Sequence, residues 1–213
     1  HGFVPWYLSA IPFFFLPVGI FALRFAVAFI GSATVLLLWP LRKWLGSKGL
    51  LAAALFLAVS PSMVYYSRHA SQYPFFVFFL LFSLVAAALY LQTRKNRHML
   101  LAALGAALLL TTHDLALIFF GIAASFPLLL YYLDFSEKSR NRMKETAKKT
   151  SKKVVFASIL VFLIATALIM SCFLSNIPAL EEYSASIDFQ LQKSFNTGHN
   201  KPFQYYALTF LPI

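Results

Sequence analysis

Long apolar runs separated by short polar segments constrain this chain more than any other feature of its sequence. Residues 49–66 form one such run, and a helix of this length spans about 27 Å, close to the roughly 30 Å of a bilayer core. Similar runs occupy residues 17–39, 74–91 and 154–174. The chain is 60% hydrophobic, whereas a soluble domain is nearer half apolar. We therefore predict an all-α, polytopic bundle of transmembrane helices, with about six to seven spans and short interfacial helices.

Residues 1–16 and 99–133 depart from this regular pattern. Pro5 and Pro12 interrupt the first stretch. Because proline blocks hydrogen bonding inside a helix, we expect an interfacial helix or a partial span there. The second stretch would extend roughly 52 Å as one helix, which is too long for one span and short for two. Its polar break falls at residues 111–114.

The break at residues 111–114 is predicted to be a tight turn between two short helices. Asp114 would cap the second helix, because a carboxylate can accept hydrogen bonds from the free N–H groups of the first turn. Since both helices are short, we expect the turn to lie below the membrane surface. Polar backbone at that depth must line protein or water, so His113 and Asp114 become candidate site residues.

The distribution of basic residues predicts which ends of the helices face the cytosol. The chain has 18 Lys and Arg against 7 Asp and Glu, a formal net charge of +11. Fourteen of the basic residues fall in the segments 42–48, 94–97 and 138–153. Cytoplasmic loops of membrane proteins carry such an excess, so we interpret this charge as membrane topology and not as a nucleic-acid site. Residues 134–153 are then a basic cytoplasmic loop, and residues 175–204 an outer loop.

The remaining basic residues would face outward, and they are Arg24, Arg68, Lys193 and Lys201. Arg68 belongs to a polar and aromatic segment, residues 65–74, between two apolar runs. Polar groups in such a segment cannot face lipid, so it must lie at a surface or line a watered cavity. The sequence thus predicts a small cationic site on the outer face.

The chain contains four short patterns of interest: Ser60-Pro61 with Tyr66-Ser67 and Tyr73; His1-Gly2 with Tyr7-Leu8; Arg24 with Gly31; and residues 195–206, which contain His199, Lys201 and Tyr205-Tyr206. Together they resemble the integral-membrane glycosyltransferases of the GT-C fold, in particular the protein O-mannosyltransferase-like and aminoarabinose-transferase-like branches. The resemblance implies that residues 1–213 are a transmembrane domain, the membrane half of such an enzyme, and a fragment of a longer chain.

The resemblance also implies an activity: transfer of a sugar from a polyprenyl-phosphate donor to a lipid, glycan or protein on the outer face of a bacterial or archaeal cell membrane. In this family the catalytic carboxylate lies in the first outer loop, whereas the first acid here is Asp114. The resemblance therefore places the catalytic base before His1. Many relatives carry an acid within the 65–74 segment, where this chain has His69 and Tyr73.

A phosphate leaving group needs cations, and arginine suits it because the guanidinium group is planar and permanently charged. We expect the outer-face residues to bind the donor phosphate, with membrane lipid as a second partner. The candidates are Arg24, Arg68, His69, Tyr73, His113, Asp114, His199 and Lys201. No cofactor is implied beyond an optional divalent cation, and no cluster in the sequence has metal-ligand spacing.

Each candidate also has a structural interpretation. Arg24 and Arg68 could anchor helix ends by reaching lipid headgroups, and His69 and His113 could be hydrogen-bonded structural residues. The alternative function is a transporter or a non-catalytic protein that binds a lipid carrier, because Asp114 is a lone intramembrane carboxylate. Transporters more often show inverted repeats, which this sequence does not display. An Asp or an Asp-Glu pair in an outer loop some tens of residues before His1 would favour the enzyme, and its absence would favour the alternative.

Overall fold

The computed structural model of the chain is built from helices. It describes residues 2–132 and 150–176, together with 178 and 185, and gives the backbone alone for residues 126–132. Among these residues there is no β-strand. The prediction of an all-α fold is therefore confirmed.

Several sequence predictions fall outside the described residues. They concern the basic loop over residues 134–149, the greater part of the outer loop 175–204, and the helix expected from Tyr205. His199 and Lys201 belong to the same part of the chain. These predictions stay predictions.

The helices follow the apolar runs of the sequence. In chain order they are α1 (Val4–Ala10), α2 (Ile20–Leu36), α3 (Arg42–Val59), α4 (Pro61–Arg68), α5 (Tyr73–Thr93), α6 (Asn96–Leu110), α7 (Ala116–Tyr132) and α8 (Lys152–Met170). Short 3-10 helices follow α1 at Ile11–Phe14 and precede α3 at Trp39–Leu41. Proline stands at the first or second position of α1, α4 and α5, where its missing N–H would have no helical partner.

Within the described ranges, three segments are long and apolar enough to cross a membrane, namely Ile20–Val59, Tyr73–Thr93 and Lys152–Met170. The apolar helices that fall short of this length are Val4–Phe14, Asn96–Leu110 and Ala116–Ser125. The fold is thus all-helical with three candidate spans, a coarser result than the six or seven spans expected from the sequence. Turns and prolines divide the other apolar runs into shorter helices.

The chain reversal predicted for residues 42–48 occurs inside helix α3, so the prediction of a loop there is wrong. Gly46 has φ 69° and ψ 173°, a left-handed conformation that glycine adopts without a steric penalty. Beyond this break the chain returns along α2, since Leu57 lines the same crevice as Gly31. A one-residue turn at glycine therefore replaces the loop, and Arg42 lies in the helical segment before it.

The chain divides into two compact units, residues 1–169 and 170–213. Helix α8 ends at Met170, four residues before the end predicted from the apolar run. Residues 172–174 have φ of 51°, 56° and 68°. An α-helix of L-residues cannot continue through this conformation, so the apolar character of the run does not set the end of the helix.

The core of the first unit lies where α1, α2, α5, α6 and α7 meet. Its buried residues are Val4, Ala26, Val27, Phe75, Phe76, Phe79, Leu109 and Ala116. Helices α5 and α6 approach each other closely at Gly105, where a β-carbon would overlap the ring of Phe82. The absence of a side chain on this glycine permits the approach. Across the same contact, the Ser83 hydroxyl donates a hydrogen bond to the Ala102 carbonyl at 3.0 Å. This packing holds the start of α5 beside the end of α6.

Candidate functional site

The helices place the candidate residues at one end of the first unit and the described basic segments at the other. Helix α5 has 21 residues, which makes it about 32 Å long. Tyr73 at its start contacts His113, with ring centroids 5.8 Å apart, whereas Arg94 follows its last turn. Helix α2 separates Arg24, near its start, from Arg42 in the same way. The positive-inside interpretation requires such a separation.

Arg24 and Arg68 line one cavity of about 480 Å³ between α2 and α4. Its other lining residues are Val59, Pro61, Val64, Tyr65 and His69. Both arginine side chains are exposed, and neither makes an ion pair or a hydrogen bond with the described part of the chain. Two permanently charged groups thus face the same space, and no carboxylate is among the residues that line it.

A close contact between Gly31 and Ser67 sets α4 against α2. A β-carbon on Gly31 would overlap both Oγ and Cβ of Ser67, so only glycine permits this approach. The helical path breaks before α4 at Ser60, which has ψ 121°. Arg68 follows Ser67 directly in the last turn of α4. The contact therefore holds Arg68 on the side of α4 that shares a cavity with Arg24.

An apolar crevice of about 430 Å³ adjoins the cavity, and Val64 and Arg68 line both spaces. Most of the other residues in the crevice are small or aliphatic: Ala28, Gly31, Ser32, Val35, Leu57, Ala58, Met63 and Ser67. A ligand with an anionic head and an apolar chain matches this pair of spaces. Its head would lie between the arginines and its chain in the crevice.

A row of five aromatic rings leads from the cavity to the turn between α6 and α7. Successive ring centroids lie 4.4 Å apart for His69 and Tyr65, and 5.2 Å apart for Tyr65 and Tyr66. The row continues at 4.7 Å from Tyr66 to Tyr73 and at 5.8 Å from Tyr73 to His113. We call these five residues the aromatic row. Tyr65, Tyr66 and Tyr73 are 57%, 37% and 40% exposed, so the row is open to a ligand.

His113 lies in the turn between α6 and α7 that the sequence predicts, and its side chain accepts a backbone hydrogen bond just before α7 begins. Its Nδ1 accepts a hydrogen bond from the Leu115 N–H at 3.1 Å. The Asp114 carboxylate makes no hydrogen bond within the described residues, so the predicted Asp114 cap is wrong. The imidazole of the preceding residue reaches the free N–H instead.

The environment of His113 favours the neutral imidazole. Burial lowers the pKa of His113 below its ordinary value of 6.5, although the negative charge of Asp114 opposes this shift. A neutral ring agrees with the hydrogen bond at Nδ1, because a protonated Nδ1 could not accept it. The ring also contacts Phe76, with centroids 5.9 Å apart, which joins the aromatic row to the core.

The N-terminal segment packs on the same turn. The Val4 N–H donates a hydrogen bond to the Thr111 carbonyl at 3.4 Å. A β-carbon on Gly2 would overlap the carbonyls of Thr111 and Thr112. Both threonines are fully buried, and their hydroxyls donate to helix carbonyls of the preceding turn at 2.9 and 2.6 Å. The glycine in the His1-Gly2 pattern therefore has a packing role.

The structure brings most of the described candidates into one continuous region. Arg24, Arg68 and His69 share the cavity, and Tyr73 and His113 belong to the aromatic row that begins there. The sequence predicts that these residues lie at the same end of the helices. It does not predict that Arg24, Arg68 and His69 share a cavity.

Sequence reasoning grouped Tyr65 and Tyr66 with the polar and aromatic segment 65–74. It missed that Tyr65 lines the cavity and that both rings belong to the aromatic row. Tyr65 and His69 are four residues apart in the region of α4, and residues with this spacing meet on one face of a helix. This spacing was the available signal. The contact of Tyr66 with Tyr73 has no such local signal, because it joins two helices across a bend.

Comparisons with known proteins do not add a family to this arrangement. No family model matches the sequence, and no curated protein and no solved structure shows a significant match. The fold and site define the class of protein only as all-helical, with apolar helices long enough to cross a membrane. Any narrower assignment depends on the cavity, the crevice and the aromatic row.

Proposed function

We propose that the chain is the membrane part of a GT-C-type glycosyltransferase. It transfers a sugar from a polyprenyl-phosphate donor to an acceptor at the outer face of a bacterial or archaeal cell membrane. The observation that carries this proposal is the presence of Arg24 and Arg68 in one cavity without a carboxylate beside them.

Two arginines in one cavity favour a bound anion. Their like charges repel each other, and this repulsion is stronger where the surroundings are partly apolar. A phosphate that accepts hydrogen bonds from both guanidinium groups removes the repulsion and forms charge-assisted bonds. When the bond between the sugar and the phosphate breaks, negative charge grows on the phosphate. Fixed cations stabilise that charge most in the transition state.

The apolar crevice supports a donor that carries a lipid chain. It begins at Arg68 and is lined mainly by aliphatic and small side chains, so it matches an isoprenoid chain and not a second polar group. The separation of the basic segments from the cavity supports an outward-facing site. On that face a membrane-anchored phosphate sugar is the natural donor.

The transfer step also needs a base. The acceptor oxygen attacks the anomeric carbon and loses its proton to a carboxylate. The bond from that carbon to the phosphate oxygen breaks, and the phosphate leaves with the electron pair. No carboxylate lines the cavity or the crevice. Within the proposal these spaces bind the donor, and the base comes from another part of the protein.

The proposal is tested by replacing Arg68 with Ala in the full-length protein, reconstituted in proteoliposomes with a polyprenyl-phosphate sugar. We expect transfer to fall roughly a hundredfold, as for loss of one donor to a developing charge. Arg42→Ala is the matched control, because Arg42 lies at the opposite end and stacks on Trp39 at 5.4 Å. Undiminished turnover in Arg68→Ala would remove Arg68 from the mechanism.

The absence of a carboxylate in the cavity favours a second candidate function, a transporter or a non-catalytic protein that binds the same lipid phosphate. This alternative predicts that the lipid phosphate binds through Arg24 and Arg68 but that no sugar is transferred in the proteoliposomes. Measuring binding and transfer on the same preparation separates the two functions.

A further inference from the structure

Three residues of the aromatic row, Tyr66, Tyr73 and His113, are not among those that line the cavity assigned to the donor phosphate. We propose that this row, His69, Tyr65, Tyr66, Tyr73 and His113, binds a saccharide chain whose sugar rings lie on the aromatic rings. If the proposed function holds, this saccharide chain is the acceptor. The identity of the saccharide as acceptor rests on the proposed function, whereas the binding of saccharide does not.

The row differs from an ordinary interfacial belt. Aromatic belts place separate Trp and Tyr side chains at the level of the lipid headgroups, and they require no contact between the rings. Here α4 with the bend after it, the start of α5, and the turn after α6 each contribute rings to one continuous series. Elements that are separate in sequence thus converge to build one surface.

The chemistry of the row suits sugars. A pyranose has an apolar face of C–H groups, which packs on the face of an aromatic ring, and a rim of hydroxyls. Tyrosine and histidine combine an apolar ring with polar atoms at its edge. Of the five residues, His69 and the three tyrosines are exposed. The row therefore offers both the stacking faces and the hydrogen-bonding edges that a sugar requires.

The number of rings and the position of the row favour a chain over a single sugar. Neighbouring centroids are 4.4–5.8 Å apart, and neighbouring ring planes are tilted by 29–84°, so the rings present separate faces and not one flat platform. A saccharide chain can contact several of these faces, whereas a single sugar contacts one. Tyr65 and His69 also line the arginine cavity, so the end of a bound chain would reach the space where the donor phosphate lies.

The direct test is saturation-transfer NMR on the full-length protein in lipid nanodiscs. The probes are glucose, cellobiose, cellotriose and cellotetraose, which have equatorial hydroxyls and therefore apolar ring faces. We expect affinity to rise with chain length, and saturation of the aromatic protons to reach the axial C–H protons of the sugar. Absence of binding at every chain length would overturn the proposal, and this measurement needs no variant.

Variants then locate the surface. Tyr66→Ala and Tyr73→Ala should each weaken cellotetraose binding by roughly three- to tenfold, the equivalent of one aromatic stacking contact. Tyr66→Phe keeps the ring and should retain most of the affinity. Tyr90→Ala is the matched control, since Tyr90 lies near the far end of α5. Unchanged affinity in both alanine variants would exclude the row.

The same assay separates this inference from the proposed function. Arg68→Ala should lower transfer from the lipid donor by roughly a hundredfold and leave cellotetraose binding unchanged. If the wild-type protein binds saccharide but transfers no sugar, the aromatic row is a saccharide site and the glycosyltransferase function is wrong. If it transfers sugar but binds no saccharide, the glycosyltransferase function is supported and the row is not its acceptor site.

Discussion

The backbone of Gly31 lies against the side chain of Ser67, and this contact brings Arg68 into the same cavity as Arg24. The approach is so close that a β-carbon on Gly31 would overlap Ser67. The candidate site thus depends on a glycine that touches no ligand.

Replacing Gly31 with Ala should destabilise the protein by about 1–3 kcal/mol, the usual cost of overpacking a close contact. It should also lower binding of lipid phosphate, because α4 must move away from α2. The measurement is the thermal unfolding midpoint in nanodiscs. Gly121→Ala is the matched control, since a β-carbon there meets nothing within 4 Å. Equal midpoints for the two variants would contradict the contact.

Arg24 and Arg68 should act on the same phosphate, which a double-mutant cycle can measure. Each Arg→Ala variant should weaken binding of a polyprenyl phosphate by roughly tenfold or more, as for a hydrogen bond to a charged group. The double variant should lose less free energy of binding than the two single losses combined, because the groups share a ligand. Strictly additive losses would indicate two independent sites.

The turn at His113 should make stability depend on pH. Since its pKa in the folded protein lies below the ordinary value, the unfolded chain binds the proton more readily. This contribution to stability is complete above pH about 6.5 and is lost as the pH falls through that value towards the folded pKa. The unfolding midpoint should therefore decrease on acidification across this window.

His113→Asn provides the control for the pH dependence. The asparagine carbonyl can accept the Leu115 N–H but does not titrate in this range, so the variant should lose the His113 part of the pH dependence. An NMR titration of the imidazole protons reports the pKa directly. A midpoint at or above 6.5 for His113 would be inconsistent with the burial that lowers it.

Asp114 and His113 should differ in their effect on stability. Asp114→Ala removes a carboxylate that makes no hydrogen bond within the described residues, so the free energy of unfolding should change by less than about 0.5 kcal/mol. His113→Ala removes the acceptor for Leu115 and should cost about 0.5–2 kcal/mol, as for loss of a cap. Asp114→Ala should also lower the pKa of His113 further, because the opposing charge is gone. A larger loss in the free energy of unfolding for Asp114→Ala than for His113→Ala would indicate that Asp114 is the cap.

Local signals in the sequence were sufficient to place most helices. Apolar length located α5, and the excess length of residues 99–133 located the turn near His113. The single helix predicted over residues 49–66 is wrong, because the chain breaks at Ser60 and a separate helix, α4, begins at Pro61.

The basic segment 42–48 indicated a reversal, but no local signal showed that the single residue Gly46 would make it inside a helix. Its left-handed conformation follows from the return of the chain along α2.

The site could be predicted only in part, for a similar reason. The alternation of apolar runs and basic segments placed Arg24 and Arg68 at the same end of the helices. Their common cavity depends on a contact between α2 and α4, and no local pattern specifies which faces of two helices meet. The hydrogen bond from the Leu115 N–H to the His113 ring depends likewise on the orientation of one side chain. Residue spacing alone does not determine that orientation.

Because Arg68 borders both the polar cavity and the apolar crevice, any amphiphile that fills the two is fixed in place by its headgroup. Beyond Arg68 most of the crevice walls are hydrocarbon. Such walls do not distinguish isoprenoid chains by the number or the saturation of their units. Discrimination among carriers should therefore reside in the charge and shape of the head. Under the proposed function, membranes that differ in the length of their polyprenols would host the same protein without changes to the crevice.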